Sequence, residues 1–167
     1  MDLQQNGIVG SLPAEWGLLE TDNEALQSIR LDRNQLTGSI PEEWCELNSA
    51  ALKNFVLSNN KLTGTIPTCL SKFGEMENFS VLGNKMSGTI PTDLGILLHL
   101  QSFHVGNNEF TGSMPDALCN LKRYEMTSVS ADCKNELSEN FVECECCTTC
   151  CDGDSEECSL TNLSEEP

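Results

Sequence analysis

The chain has 167 residues, one domain's worth, with 26 acidic against 9 basic side chains and a formal net charge of −17. So acidic a surface repels phosphate backbones, which excludes nucleic acid as a partner, and the longest uncharged run (94–108) is too short and too polar to span a bilayer. Ten cysteines are too many for a reducing compartment unless they hold metal, yet Met1 leads into Asp2 and glutamines rather than a basic-then-apolar leader. Together these facts point to a piece of a longer secreted or surface protein.

Charge and cysteine divide the chain. Residues 1–123 hold 14 acids, 8 bases and three cysteines, and residues 124–167 hold 12 acids, one base and seven cysteines. In chain order, the first part repeats the tetrapeptides Gly10-Ser-Leu-Pro13, Gly38-Ser-Ile-Pro41, Gly64-Thr-Ile-Pro67, Gly88-Thr-Ile-Pro91 and Gly112-Ser-Met-Pro115, at spacings of 28, 26, 24 and 24 residues. Four residues before each glycine stands Asn6, Asn34, Asn60, Asn84 or Asn108. Three before each asparagine comes Leu3, Leu31, Leu57, Val81 or Val105. Ile29, Phe55, Phe79 and Phe103 lie five before it, and Leu26, Leu52, Met76 and Leu100 eight before it. Several registers hold at once, so the chain is a repeat array.

The physics of one unit follows from its residues. Alternating apolar positions, such as Ile29 and Leu31, define a short strand with one buried face. An asparagine where the chain leaves the strand can satisfy backbone groups orphaned by the turn. Glycine permits a backbone angle closed to other residues, and proline, lacking an N–H, suits an edge or turn. Trp16, Trp44, Leu70, Leu94 and Leu118, each with an apolar residue three further on, predict a short helical turn on the outer side. Each coil can bury its apolar face only against its neighbours. Met1 enters in mid-repeat with no polar segment over Ile8, Leu12 and Trp16, so the first coil is expected to be an incomplete edge.

This pattern resembles the plant-type leucine-rich repeat, L-x-x-L-x-L-x-x-N-x-L-x-G-x-I-P, found in ectodomains of receptor-like kinases, receptor-like proteins and polygalacturonase inhibitors. The resemblance covers roughly residues 1–131. Extra residues at Glu20–Glu24 and Asn48–Ala51 fall between a turn and the next strand, where they bulge outward. The family implies an α/β solenoid, a right-handed superhelix with a parallel β-sheet on its concave face and short helical turns on its convex face. The expected division is repeats over 1–123, a final strand with a disulfide-rich cap over 124–151, and a disordered acidic tail over 152–167.

Outward positions on the concave sheet form three columns: Ser28, Asn54, Asn78, Ser102 and Met126; Arg30, Val56, Ser80, His104 and Ser128; and Asp32, Ser58, Leu82, Gly106 and Ser130. They are mostly small, neutral and hydrogen-bonding, with one charged pair at Arg30 and Asp32. Such a strip suits a protein, peptide or glycan ligand and offers no deep pocket. The candidate ligand-binding residues are Ser28, Arg30, Asp32, Asn54, Val56, Ser58, Ser80, Leu82, Ser102, His104 and Ser128. Two glycosylation acceptors occur, Asn78-Phe-Ser80 in the middle of this strip and Asn162-Leu-Ser164 in the tail.

Cys45 and Cys69 stand at the same outer side of adjacent coils, close enough for a disulfide. The remaining eight, Cys119, Cys133, Cys144, Cys146, Cys147, Cys150, Cys151 and Cys158, read as a disulfide knot sealing the last coil. The alternative is a soft-metal site at Cys147-x-x-Cys150, which the flanking Glu143 and Glu145 disfavour by opposing thiolate formation. The spacing from Asp132-Cys133 through Val142 to Cys151 also resembles the endings of diatom leucine-rich-repeat proteins, where it implies a cap. Asp152-Gly-Asp154-Ser-Glu156-Glu157 lacks the twelve-residue loop of a calcium site and reads as a solvated tail.

No nucleophile, phosphate-loop or zinc-protease motif occurs, and His99 and His104 have no partner that sequence places beside them. The expectation is a non-catalytic recognition module without cofactor, extracellular or at the cell surface. An inhibitor of a wall-degrading enzyme and a thiol-rich metal-binding protein are the alternatives.

Overall fold

The computed structural model describes residues 1–18, 26–47, 51–133, 141–151 and 159–160. The insertions at Glu20–Glu24 and Asn48–Ala51 lie outside these residues except for Ala51, as does the sequon Asn162-Leu-Ser164.

Three- to five-residue strands stack into one sheet in the spatial order Ser28–Arg30, Asn54–Val56, Asn78–Ser80, Ser102–His104, Ser128–Asp132 and Thr149–Cys151, all parallel. Ser159–Leu160 closes that sheet as an antiparallel seventh strand, pairing Thr149 with Leu160. Ser159–Leu160, an uncharged pair that Cys158 precedes, falls within the stretch 152–167. The rest of that stretch lies outside the described residues. On the opposite flank of each coil, two- to four-residue parallel strands precede or follow the repeating glycine, as in Val9–Ser11, Gln35–Gly38 and Lys61–Leu62. The third side is made of 3₁₀ turns at Ala14–Leu18, Glu42–Glu46, Thr68–Lys72 and Thr92–Ile96, with a single α turn at Asp116–Cys119. This is an α/β solenoid, with 3₁₀ geometry where the outer turns have only five residues to spend.

Rings stack along the axis as the repeat predicts. Phe55, Phe79 and Phe103 lie nearly parallel with centroids 5.6 and 5.1 Å apart, Trp44 meets Phe55 edge-on, and Trp16 stacks on Trp44 at 5.7 Å. The Trp44 indole N–H, otherwise stranded in this core, donates to the Pro13 carbonyl one coil back at 2.8 Å.

The asparagines bind coil to coil. Asn60 Nδ2 donates to the Leu57 carbonyl of its own strand end and to the Leu31 carbonyl of the preceding one, both at 3.0 Å, while its Oδ1 accepts from Leu36 N at 3.0 Å. Asn34, Asn84 and Asn108 repeat the pattern. In the last coil a carboxylate does part of what the carboxamide does elsewhere. Asp132 is buried there and accepts from the Asn107 and Asn108 amides at 2.6 and 2.9 Å.

Phe79 is fully buried between two rings, so Phe79→Ala should cost about 3–5 kcal/mol through lost burial and the cavity left behind. Urea denaturation followed by circular dichroism checks this; a loss below about 1 kcal/mol would mean the ring stack does not couple the coils.

Candidate functional site

The concave strip rests on backbone pairing. Registers set Ser28 beside Asn54, Asn54 beside Asn78, Asn78 beside Ser102 and Ser102 beside Ser128. The second row runs Arg30, Val56, Ser80, His104, Ser130 and Thr149. Three expected placements are corrected here. Met126 is 3% exposed and belongs to the core, and Ser128 and Ser130 each move one row. The cause is a spacing of 26 rather than 24 in the last coil, where Met126-x-x-Val129-x-Ala131 repeats Leu100-x-x-Phe103-x-Val105.

Side chains within the strip bond to one another. Asn78 Nδ2 donates to Asn54 Oδ1 at 2.9 Å, and Ser102 Oγ donates to Asn78 Oδ1 at 2.7 Å, so the sequon asparagine is engaged on both sides. His104 lies 2.9 Å from Ser130 Oγ through Nδ1 and 3.5 Å from Ser128 Oγ through Nε2. Ser58 and Ser80 share a hydrogen bond of 2.6 Å. Ser58 and Ser130 are themselves buried, so they act by holding Ser80 and His104 rather than as open contacts. Ser28, Arg30, Asp32, Asn54, Val56, Ser80, Leu82, Ser102, His104 and Ser128 are half-exposed. Gly106 is also covered: a Cβ there would lie 2.0 Å from Cys151 Sγ, so the cap closes the third row at that end. Lys53 and Glu77 form a 2.6 Å ion pair beside the strip, and the hydrogen bond and charge of Glu77 raise the Lys53 pKa.

A second surface, rich in hydroxyls and not anticipated from the sequence, flanks the glycines. Hydroxyl side chains stand on either side of each one: Thr37 and Ser39, Thr63 and Thr65, Ser87 and Thr89, Thr111 and Ser113, with Ser11 in the first coil opposite Val9. Ser11, Thr37, Ser39, Thr63, Thr65, Thr89 and Ser113 are exposed. Gly64 has φ +78°, and a Cβ on it would reach within 3.0 Å of Ser39 Cβ, so glycine lets each hydroxyl pack over the next coil. The sequence signal was the hydroxyl residue before each glycine as well as after it. Where this flank meets the 3₁₀ turns, a cleft of about 700 Å³ separates Ser39 and Thr65 from Glu42 and Glu43.

The cysteines are joined as Cys45–Cys69, Cys119–Cys146, Cys133–Cys150 and Cys144–Cys147, with Cα separations of 5.6, 5.5, 5.2 and 5.5 Å. Disulfides rather than a soft metal take up these sulfurs. Among the described residues no cysteine is free. No helix among them is long and apolar enough to cross a membrane. His99 lies 3.7 Å from Glu125, on the outer side and away from His104.

The family model described as Leucine Rich Repeat matches residues 25–47, 51–73 and 99–121. The chain is 30% identical to a chain in the BIR3–SERK2 complex from Arabidopsis thaliana, with a TM-score of 0.62, over 84% of this chain and 72% of that one. It is 30% identical, with a TM-score of 0.68, to the plant peptide hormone receptor RGFR1 in complex with RGF2, over 79% of this chain and 21% of that one. It therefore spans about a fifth of that receptor's length. A plant ice-binding protein is 28% identical with a TM-score of 0.67, over 85% of this chain and 42% of that one. No curated protein sequence matches this chain.

Burial lowers the His104 pKa, so its folded form favours the neutral imidazole. The stability this gives is present above the unfolded value of about 6.5 and is lost as pH falls through the folded pKa. Urea midpoints measured between about pH 8 and 5 should fall more steeply for the parent than for His104→Gln. Parallel curves would show that His104 is as solvated folded as unfolded.

Proposed function

This chain belongs to the leucine-rich-repeat family, and from that premise we propose that it is a non-catalytic recognition module that holds a protein or peptide against its concave strip. The observation that carries this reading is the hydrogen-bonded row Asn54, Asn78 and Ser102 beside His104 and Ser80. These groups are already fixed by their neighbours, so a partner loses little side-chain freedom on meeting them. The amides and hydroxyls among them keep further donor or acceptor capacity, which an extended backbone laid across the strands can use. Similar chains occur in the complex of the peptide hormone receptor RGFR1 with RGF2 and in the BIR3–SERK2 complex, which supports a partner of this kind. The disulfides and the receptor-like relatives support an extracellular or cell-surface setting. A secreted inhibitor of a wall-degrading enzyme would use the same strip.

Peptides selected by display against the whole chain test this. The combined variant Arg30→Ala, Val56→Asp, His104→Ala should weaken the selected peptide by about 100-fold, since such contacts carry most of the binding energy when they sit at the centre. Its stability should fall by less than that of Phe79→Ala, because the three positions are half-exposed and lie outside the ring stack. Unchanged affinity would place recognition elsewhere.

The hydroxyl flank favours a second reading, ordering of water at an ice surface. Its Ser and Thr side chains flank each glycine about 6.7 Å apart along the chain and recur from coil to coil on strands about 4.8 Å apart, interrupted by Lys61 beside Thr37 and Glu109 beside Ser87. The similar plant ice-binding protein supports it. Thermal hysteresis should be measurable in the parent and abolished by Thr63→Lys with Thr89→Lys, while peptide binding at the concave strip stays intact. Absence of hysteresis in the parent removes this reading and leaves the first untouched.

A further inference from the structure

We propose that Cys144–Cys147 is a reducible entry point that passes reducing equivalents to Cys119–Cys146 and so loosens the first strand of the C-terminal cap. Loop length sets the order in which the bonds open. Cys144–Cys147 closes a loop of sequence separation 3, whereas Cys119–Cys146 has 27 and Cys45–Cys69 has 24. What a disulfide gives to the fold, the fold returns to the disulfide. A four-residue closure gains about 20-fold less from chain entropy than one of about 28 residues. The fold therefore holds Cys144–Cys147 shut least.

Placement joins the two bonds. Cys144 is half-exposed while Cys147 is buried, so an incoming thiolate meets the Cys144 sulfur first. Cys144 Sγ lies 4.0 Å from Cys146 Sγ, although the two belong to different disulfides. A cleft of about 380 Å³, lined by Met114, Cys119, Cys146 and the carboxylates of Asp116, Glu143 and Glu145, opens onto the second bond.

A neutral external dithiol first attacks Cys144 Sγ, Cys147 leaves as thiolate, and the second thiol of the reductant displaces Cys144. The reductant ends as a disulfide, having supplied two electrons and two protons. The Cys144 thiolate then attacks Cys146 Sγ, and Cys119 leaves and takes up the proton. Finally the Cys147 thiolate attacks Cys144 Sγ and releases Cys146. Cys144–Cys147 is restored, and Cys119 and Cys146 are thiols.

The fold gives that outcome a consequence. With Cys119–Cys146 open, the cap's first strand is held to the last coil by the two-residue pairing of Gly112–Ser113 with Val142–Glu143 and by Met114 N donating to the Glu143 carbonyl at 2.7 Å. Val142 and Met114, both buried, lie at that seam.

Differential alkylation with mass mapping, during reduction of the whole chain by dithiothreitol, tests the relay. Cys119 and Cys146 should become labelled about tenfold faster than Cys45 and Cys69, and the double variant Cys144→Ser, Cys147→Ser should slow their labelling about tenfold without altering the Cys45–Cys69 rate. Equal Cys119–Cys146 rates in parent and variant would overturn the relay. Should the double variant fail to fold, the intermediate in the parent decides: a Cys144–Cys146 disulfide trapped by rapid alkylation sustains the proposal, and labelling of Cys119 and Cys146 without it overturns the proposal.

Discussion

Everything in this protein depends on how one asparagine side chain per coil settles the backbone where the chain leaves its strand. Turning there orphans carbonyls and an amide that neighbouring coils would otherwise bury without partners. At Asn60 a single carboxamide meets two carbonyls and one N–H, drawn from its own coil and the one before. Each orphaned group would cost about 1–3 kcal/mol, so the amide outweighs most single contacts in its coil. Because its bonds cross between coils, it also fixes their register. The concave rows, the ring stack and the flanking hydroxyls are aligned because those amides allow no slip.

That alignment distributes polarity as well as shape. Charge is abundant in the sequence, yet the centre of the concave strip is neutral and the hydroxyl flank carries only scattered charges such as Lys61 and Glu109. Acidic side chains gather on the 3₁₀ side, at Glu15, Glu42, Glu43, Glu46 and Asp93, all open to water. A partner approaching either face therefore loses little charge hydration on contact, while the acidic ridge keeps copies of the protein apart. Ser58 and Ser130 show how the strip is tuned from beneath, since each is buried and fixes an outward neighbour by one hydrogen bond.

The solenoid was legible because its determinants are local and periodic. Leu31, Leu57, Val81 and Val105 recur at the phase of a buried strand, and each asparagine follows three residues on. The same periodicity misled at the last coil. A two-residue insertion shifted Met126 inward, and only its apolar character, matched by Val129 and Ala131, carried the signal. Asp132 was illegible as a substitute for the asparagine ladder, because its two acceptors matter only once the Asn107 and Asn108 amides are brought to it. The cap's pairings were equally hidden. Cys45–Cys69 follows from adjacent coils in phase, but Cys119–Cys146 and Cys133–Cys150 depend on how an irregular segment crosses the end of the array. The hydroxyl flank lay in plain sight in the tetrapeptides, masked because their glycines and prolines account for the turn by themselves.

The ring stack has one more consequence, for what an optical probe can report. Both tryptophans, Trp16 and Trp44, sit against each other in the first two coils, while the rest of the axis is phenylalanine. Their emission senses polarity around one end of the rod alone. In an array where each coil touches only its neighbours, fraying can begin at an end and stop short of the middle. Indole fluorescence is thus a terminal thermometer for this molecule, blind to the coils that carry Asn78 and His104.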